Sequence, residues 1–379
     1  MRKLQRIFWI LAVLPFLIAG CDKPHHVEIP LPPDSGNTEN PGGNENQGGN
    51  ENQGGNENQG GGNTHSGPWD ENRGKVVTPS GPGWESKTVR QGIIYYHYSG
   101  SEDITGQKQE IFAVDLDLNN PSYKLVMTRT QPTTYTSTVH KDYNAIATIN
   151  AGYEQGSIYI RSGGIDYSII PNVQIGDTGQ DNWKSEGAFY INSTGVPGIV
   201  FVGSPKRDGV VSGIMGGSYA DAVKKQRDYY MYTLKKKDYP YLLSSAPLMI
   251  DDYEPLGETF CDYSISESAA NALNSENLEH HQRVRHPRTA VALTENGHLI
   301  LIVVDGRQTN RSGFSARELT RFLVKWFNPQ YALNLDGGGS TAMCVEGLGD
   351  SRNIVNSPIQ DNEPGRERAR DTHIVILAK

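Results

Sequence analysis

The stretch Tyr331-Ala-Leu-Asn-Leu-Asp-Gly-Gly-Gly-Ser-Thr-Ala-Met343 concentrates the groups best suited to chemistry. An apolar run delivers Asp336 into Gly337, Gly338 and Gly339, and Ser340 and Thr341 add hydroxyls before the chain turns apolar again. Three consecutive glycines are entropically costly, so they make sense where the backbone takes a positive φ or must let another group come close. A loop of this kind can turn several N–H groups toward one anion. It is not a nucleotide P-loop, because no lysine follows the glycines, and it lacks the glycine order of a dinucleotide site. A tight structural turn accounts for most single Asp-Gly pairs. The longer Asp-Gly-Gly-Gly-Ser-Thr run at a buried strand end points to a site.

A second apolar run, His298–Val304, ends the same way in Asp305-Gly306-Arg307. Two such strands would bring both carboxylates to one sheet edge. Arg288 opens the run Thr289–Thr294, and Arg366, Arg368 and Arg370 precede the last apolar run. Arginine's planar fork suits bidentate recognition of phosphate or carboxylate. A surface ion pair is the plainer role, expected for at least two of the last three. Asn150-Ala-Gly-Tyr-Glu154 follows Ala145–Ile149 and offers an amide and a carboxylate. His280, His281 and His286 lie in a polar stretch and read as exposed.

The elements that must position these residues are mostly strands. Short β-rich runs cover Ile93–Tyr98, Ile111–Leu118, Tyr123–Thr128, Ala145–Ile149, Ala188–Ile191 and Gly198–Val202. Others cover Thr289–Thr294, His298–Val304, Tyr331–Leu335, Ala342–Val345 and Thr372–Leu377. Asn296-Gly297 favours a tight hairpin between two of them. The best helix is Ala316–Phe327: Ser315 caps, Glu318 completes a capping box, Phe314 staples to Leu319, and Pro329 stops it. Leu319, Phe322, Leu323 and Trp326 form its apolar stripe. A polar helix is expected over Glu267–Leu278. Strands outnumbering helices without β-α alternation predict an α+β fold: a large mixed or mostly antiparallel sheet with a few flanking helices, in one domain over residues 86–379.

The first 85 residues read differently. Arg2, Lys3 and Arg6 precede the apolar run Ile7–Ile18, which is too short to span a bilayer and fits an export signal over residues 1–20. Leu17-Ile-Ala-Gly-Cys21 resembles a bacterial lipoprotein cleavage box, so Cys21 is the expected lipidation site. Its acyl chains, at about 0.8 kcal/mol per buried methylene, would hold the chain to a bilayer on the periplasmic or cell-surface side of the envelope. Asn-Glu-Asn-Gln-Gly-Gly then recurs from Asn44, Asn50 and Asn56 with no apolar residue to bury, so residues 21–85 read as a disordered tether.

Composition narrows the classes of partner. The formal net charge is −8, and removing the export signal takes away three more positive charges. That argues against a nucleic-acid binder, whose affinity rests on clustered Lys and Arg. Three cysteines are too few for a disulfide scaffold. Beyond Cys21, Cys261 and Cys344 either pair or remain two buried thiols.

Asn334-Leu-Asp-Gly-Gly-Gly-Ser-Thr341 resembles the signature of the phosphodiester glycosidase family. Further segments fall in that family's order: Ile149-Asn-Ala-Gly-Tyr153, Ala246-Pro-Leu248, Arg288-Thr-Ala-Val291, Val304-Asp-Gly-Arg307 and the helix Phe314–Leu323. Ala151 and Tyr153 stand where the family usually has Gly and Phe. The resemblance implies hydrolysis of sugar-1-phosphodiesters at the anomeric C–O bond, releasing a sugar and a phosphomonoester. On that reading Asp336 faces the sugar, and Asp305 or Glu154 is the second carboxylate. Arg288, Arg307 and Arg370, with the N–H groups of Gly337, Gly338 and Gly339 and a hydroxyl of Ser340 or Thr341, would hold the phosphorylated saccharide. Asn150 would position it. A divalent cation such as Ca2+ could bind among these oxygens, although no D-x-[DN]-x-[DN]-G loop is present and no cofactor is required. The alternatives are a non-catalytic glycan-binding surface lipoprotein of the same fold and an enzyme cleaving the P–O bond instead.

Overall fold

Along His298–Val304, Leu299, Leu301 and Val303 join one apolar cluster while Ile300, Ile302 and Val304 join another, and all six are buried. That is the period-two alternation of a strand. A strand apolar on both faces must be covered on both, and the computed structural model, which describes residues 68–169, 182–203, 219–274 and 276–379, shows what covers it.

The strand is β13 of a seven-stranded sheet. In spatial order this sheet runs β1 (Trp84–Arg90), β2 (Ile93–Glu102), β3 (Gln107–Asp117), β13, β12 (Arg288–Leu293), β14 (Tyr331–Asn334) and β11 (Leu248–Ile250). A five-stranded sheet orders β7 (Ile165–Ser168), β6 (Ile160–Ser162), β10 (Tyr241–Ser245), β8 (Gly187–Ile191) and β9 (Pro197–Phe201). A four-stranded sheet orders β15 (Met343–Val345), β5 (Ala147–Asn150), β18 (Arg370–Ala378) and β4 (Tyr123–Thr134). The pair β16 (Ile359–Gln360) and β17 (Glu363–Pro364) stands alone. The described helices are α1 (Thr136–Asp142), α2 (Tyr219–Asp228), α3 (Glu267–Asn271), α4 (Leu278–Arg283) and α5 (Ala316–Trp326). All ladders between these strands are antiparallel. The fold is α+β and mostly antiparallel.

One face of the large sheet packs against α5 through Phe314, Leu319, Phe322 and Leu323. Ser315 and Glu318 form the reciprocal cap expected at its start. The other face shares a core with the smaller sheets, joining Val291, Leu301 and Leu333 to Ile149, Phe189, Leu243 and Ile374. The layers therefore run helix, large sheet, small sheets. The expected helix over Glu267–Leu278 is instead α3 and α4. Asn274 and Asn277 accept from the N–H groups of Glu276 and Glu279, turning the backbone out of one helix and capping the next.

The fold also begins earlier than residue 86. Arg73 pairs with Asp252 at 2.8 Å, the Asn328 amide donates to the carbonyls of Asn72 and Lys75, and Trp84 packs on Tyr98 and Trp326. Residues 68–85, included in the expected tether, are held by these contacts. The export signal, Cys21 and the hexapeptide repeats lie outside the described residues. Among the described residues no helix is long and apolar enough to cross a membrane. Cys261 and Cys344 are two separate buried thiols.

Candidate functional site

Strand pairing gathers the site. Arg288 pairs with Val304 and Ala290 with Asn334, so β13 and β14 release Asp305 and Asp336 at the same end of the large sheet, where β12 begins. In the four-stranded sheet, His373 pairs with Asn150, bringing the start of β18 beside the end of β5. Asp336 bridges the two sheets. Its N–H donates to Ala151 O at 2.9 Å, and the Asn150 amide donates to its carbonyl at 2.7 Å.

Asp336 is 4% exposed, and Arg370 Nε lies 3.2 Å from its Oδ2. The approach is off line for a hydrogen bond, so this oxygen, Arg370 Nε and the Ser340 hydroxyl are all left without a hydrogen-bond partner. Burial raises the Asp336 pKa above the ordinary carboxylate range, Glu154 reinforces the rise, and Arg370 and the neighbouring Ser340 hydroxyl oppose it. Arg370 also faces Glu154 at 3.7 Å and donates to Gly152 O. Glu154 is largely open to solvent, with Lys184 at 3.5 Å. Its burial cost is outweighed by Lys184 and Arg370, and its pKa is lowered. Lys184 is itself anchored by Glu276 at 2.7 Å.

The glycines each meet a different demand. Gly338 has φ +60, and a side chain there would face the Arg307 guanidinium. A Cβ on Gly339 would lie 2.3 Å from Gln360 Oε1 and 2.8 Å from Arg368 Nη2. One on Gly337 would strike Pro287 O. Arg307 and Arg368 thus flank the loop from two sides, close enough to depress the Arg307 pKa, which burial already lowers and Asp336 partly restores. Arg307 Nε donates to His286 Nδ1 at 3.1 Å. Gly338 N–H is engaged by Pro287 O at 2.8 Å, whereas those of Gly337 and Gly339 have no acceptor among the described residues.

Four expected site residues face elsewhere. Arg288 is fully buried. It donates to the carbonyls of Phe314, His281 and Val284 and to the Gln282 side chain, so it ties α4 to the start of α5 and, being buried, is not open to a phosphate. Asp305 is 1% exposed; Asn356, the Ser357 N–H and Arg311 surround its carboxylate, which burial pushes up to about 6. It fastens the 356–357 turn. Asn150 accepts from Thr289 and from the Ala342 N–H while holding Asp336, so it positions the loop from the interior. The Thr341 hydroxyl is buried and turned toward Thr289.

Other groups gather here, among them Lys184, which the residue pattern did not single out. Arg368 faces the loop; of the three C-terminal arginines only Arg366 makes surface ion pairs, with Asp361 and Glu363. Their spacing of two was the available signal. Lys184 sits in a short turn with no motif around it. His281 packs against Trp183 and Tyr153 and His286 holds Arg307, so neither histidine is free in solvent. Tyr153 is buried, donates to Ala246 O and accepts from Gln282 and Asn334, which is why a tyrosine fits there. No group of three His, Cys, Asp or Glu able to hold a metal ion occurs among the described residues.

The profile of the phosphodiester glycosidase family matches residues 143–377. The chain belongs to the phosphodiester glycosidase family. The match contains all of the groups just described, from Asn150 to Arg370. A curated relative, the SPbeta prophage-derived uncharacterized protein YomE of Bacillus subtilis, is 39% identical over 67 residues, which are 17% of this chain. The match spans only 10% of that protein's length. Among solved structures, the catalytic domain of zebrafish N-acetylglucosamine-1-phosphodiester alpha-N-acetylglucosaminidase, auto-inhibited by its pro-peptide, is 18% identical with a TM-score of 0.48, covering 80% of this chain and 87% of that one. A hypothetical protein from Synechocystis is 14% identical with a TM-score of 0.46, covering 79% and 64%.

Proposed function

We propose that the chain hydrolyses a glycosyl phosphodiester at the anomeric C–O bond, releasing a sugar and a phosphomonoester from an envelope glycan or glycoconjugate. The observation that carries this reading is a buried carboxylate, Asp336, with one oxygen that faces Arg370 but accepts no hydrogen bond, beside a loop flanked by Arg307 and Arg368. A phosphate leaving group is a weak base and needs little protonation. It needs its charge held while the anomeric carbon becomes oxocarbenium-like. Arg307, Arg368 and the free N–H groups of Gly337 and Gly339 supply that. Asp336 offers negative charge to the sugar, and Arg370 opposes the rise in its pKa that burial causes. Glu154, more exposed and with Lys184 and Arg370 outweighing its burial to lower its pKa, suits the water-handling role.

The test is an assay of the full chain on a panel of sugar-1-phosphodiesters, with product identification. Release of free sugar, reduced on the order of a thousandfold in Asp336→Asn, is expected. Sugar phosphate as product would mean P–O cleavage, and no turnover on any member would leave a glycan-binding protein.

The same proposal places the enzyme on a bilayer through an acylated Cys21. Metabolic labelling with a clickable fatty acid should mark the wild-type chain and not Cys21→Ser, which should move to the soluble fraction. Equal labelling of both would reject the anchor.

A further inference from the structure

Beside the site lies an open cleft of about 850 Å³ that the chemistry above does not use. Its walls are α1 with the preceding Tyr135, the 346–353 turn, and Arg366 with Glu367. Chain connectivity ties it to the site. Arg366 and Glu367 line the cleft, whereas Arg368 and Arg370 face the glycine loop. On the other wall Thr134 pairs with Arg370, and Tyr135 is the next residue. Four residues of extended chain reach at most about 14 Å, so the cleft neighbours the site while sharing none of its side chains.

The lining has a particular chemistry. Lys141, Arg352 and Arg366 are balanced by Asp142, Glu346 and Glu367, so the cleft offers no net charge to select an anion. Part of the wall is fixed in advance: Glu367 accepts from the Ser137 N–H and hydroxyl, Glu346 is held by Arg90, and Arg352 by Asp350. Another part is available, since the side chains of Lys141, Asn144 and Asn353 have no hydrogen-bond partner among the described residues. Tyr135 is 49% exposed at the mouth, an aromatic face with a polar edge. A sugar ring pairs an apolar face with a rim of hydroxyls, and an exposed tyrosine beside prearranged carboxylates, guanidinium groups and amides matches both.

We propose that this cleft binds an uncharged oligosaccharide chain, separately from the phosphodiester site. The probes are chitohexaose and mannohexaose, titrated into the full chain by calorimetry. Saturable binding of at least one is expected, weakened about tenfold in Tyr135→Ala and restored in Tyr135→Phe, which keeps the ring. Binding should be unchanged in Asp336→Asn and undisturbed by saturating N-acetylglucosamine 1-phosphate. No saturable binding of either probe overturns the proposal. So does binding that the sugar phosphate displaces or that Asp336→Asn abolishes, because the oligosaccharide would then occupy the phosphodiester site. Binding indifferent to Tyr135→Ala overturns it as well. None of these readouts depends on turnover.

Discussion

Arg288 and Arg368 carry the same guanidinium chemistry, and packing gives them opposite work. Arg288 satisfies three buried carbonyls, at Phe314, His281 and Val284. Arg288→Ala strands those acceptors and should cost about 3 kcal/mol or more of stability, read by denaturant unfolding. Arg368 is partly exposed at the loop, held by Gln360. Arg368→Ala should leave unfolding nearly unchanged and raise KM for a glycosyl phosphodiester roughly tenfold, the value of one charge-assisted contact. A specific KM effect in Arg288→Ala with intact stability would reverse the assignment. Nothing in the residue types separates the two arginines. The difference is which one the sheet carries under α4.

At the scale of the element, the glycine loop is held in shape by its neighbours. Asn150 and Ala151 clamp Asp336, and Pro287 O takes the Gly338 N–H. A methyl group on Gly339 would displace Gln360 and Arg368, both ends of flexible side chains. Gly339→Ala should therefore cut kcat/KM about tenfold or more while the thermal midpoint hardly moves. Gly347→Ala is the control: its φ is +68 but no atom lies near the added Cβ, so it should cost about 1 kcal/mol and spare activity. Element positions themselves were largely legible. β13 matches its expected range, and α5 starts where its capping box, a local device, places it and ends one residue early, at Trp326. Strands β1, β6, β7, β10, β11, β16 and β17 fall outside the expected runs. Most are short or, like β1, polar and largely exposed, so alternation gives little signal.

Across the whole molecule, stability should depend on acid through buried histidines. Burial holds His140 at about 4, His373 at about 3 and His286 at about 2, each below its unfolded value. As pH falls below about 6.5 the unfolded chain takes up protons that the folded chain refuses, so stability drops. Asp305, raised to about 6, acts oppositely: its contribution is present at low pH and lost as pH rises toward 6. Three imidazoles with larger shifts outweigh it. The thermal midpoint should fall from pH 7 to pH 5. His373→Leu, which removes a ring with neither nitrogen partnered, should flatten that slope by up to about 1.4 kcal/mol per pH unit. An unchanged slope would mean that His373 is protonated in the fold.

Local pattern by itself determined the α+β class, the hairpin at Gly297, the capped helix and the glycine loop after Asp336, because alternation, capping and turn chemistry act over a few residues. The family resemblance followed from the same loop and the order of the segments around it. Only the tertiary structure decided which charged groups face that loop. Asp305 and Arg288 reach the same sheet end as Asp336, yet their side chains meet inward donors and acceptors, while Arg368 reaches the loop and Lys184 reaches Glu154 from other segments. Side-chain direction at a sheet edge depends on what packs over it, and that partner is supplied by chain far away in sequence.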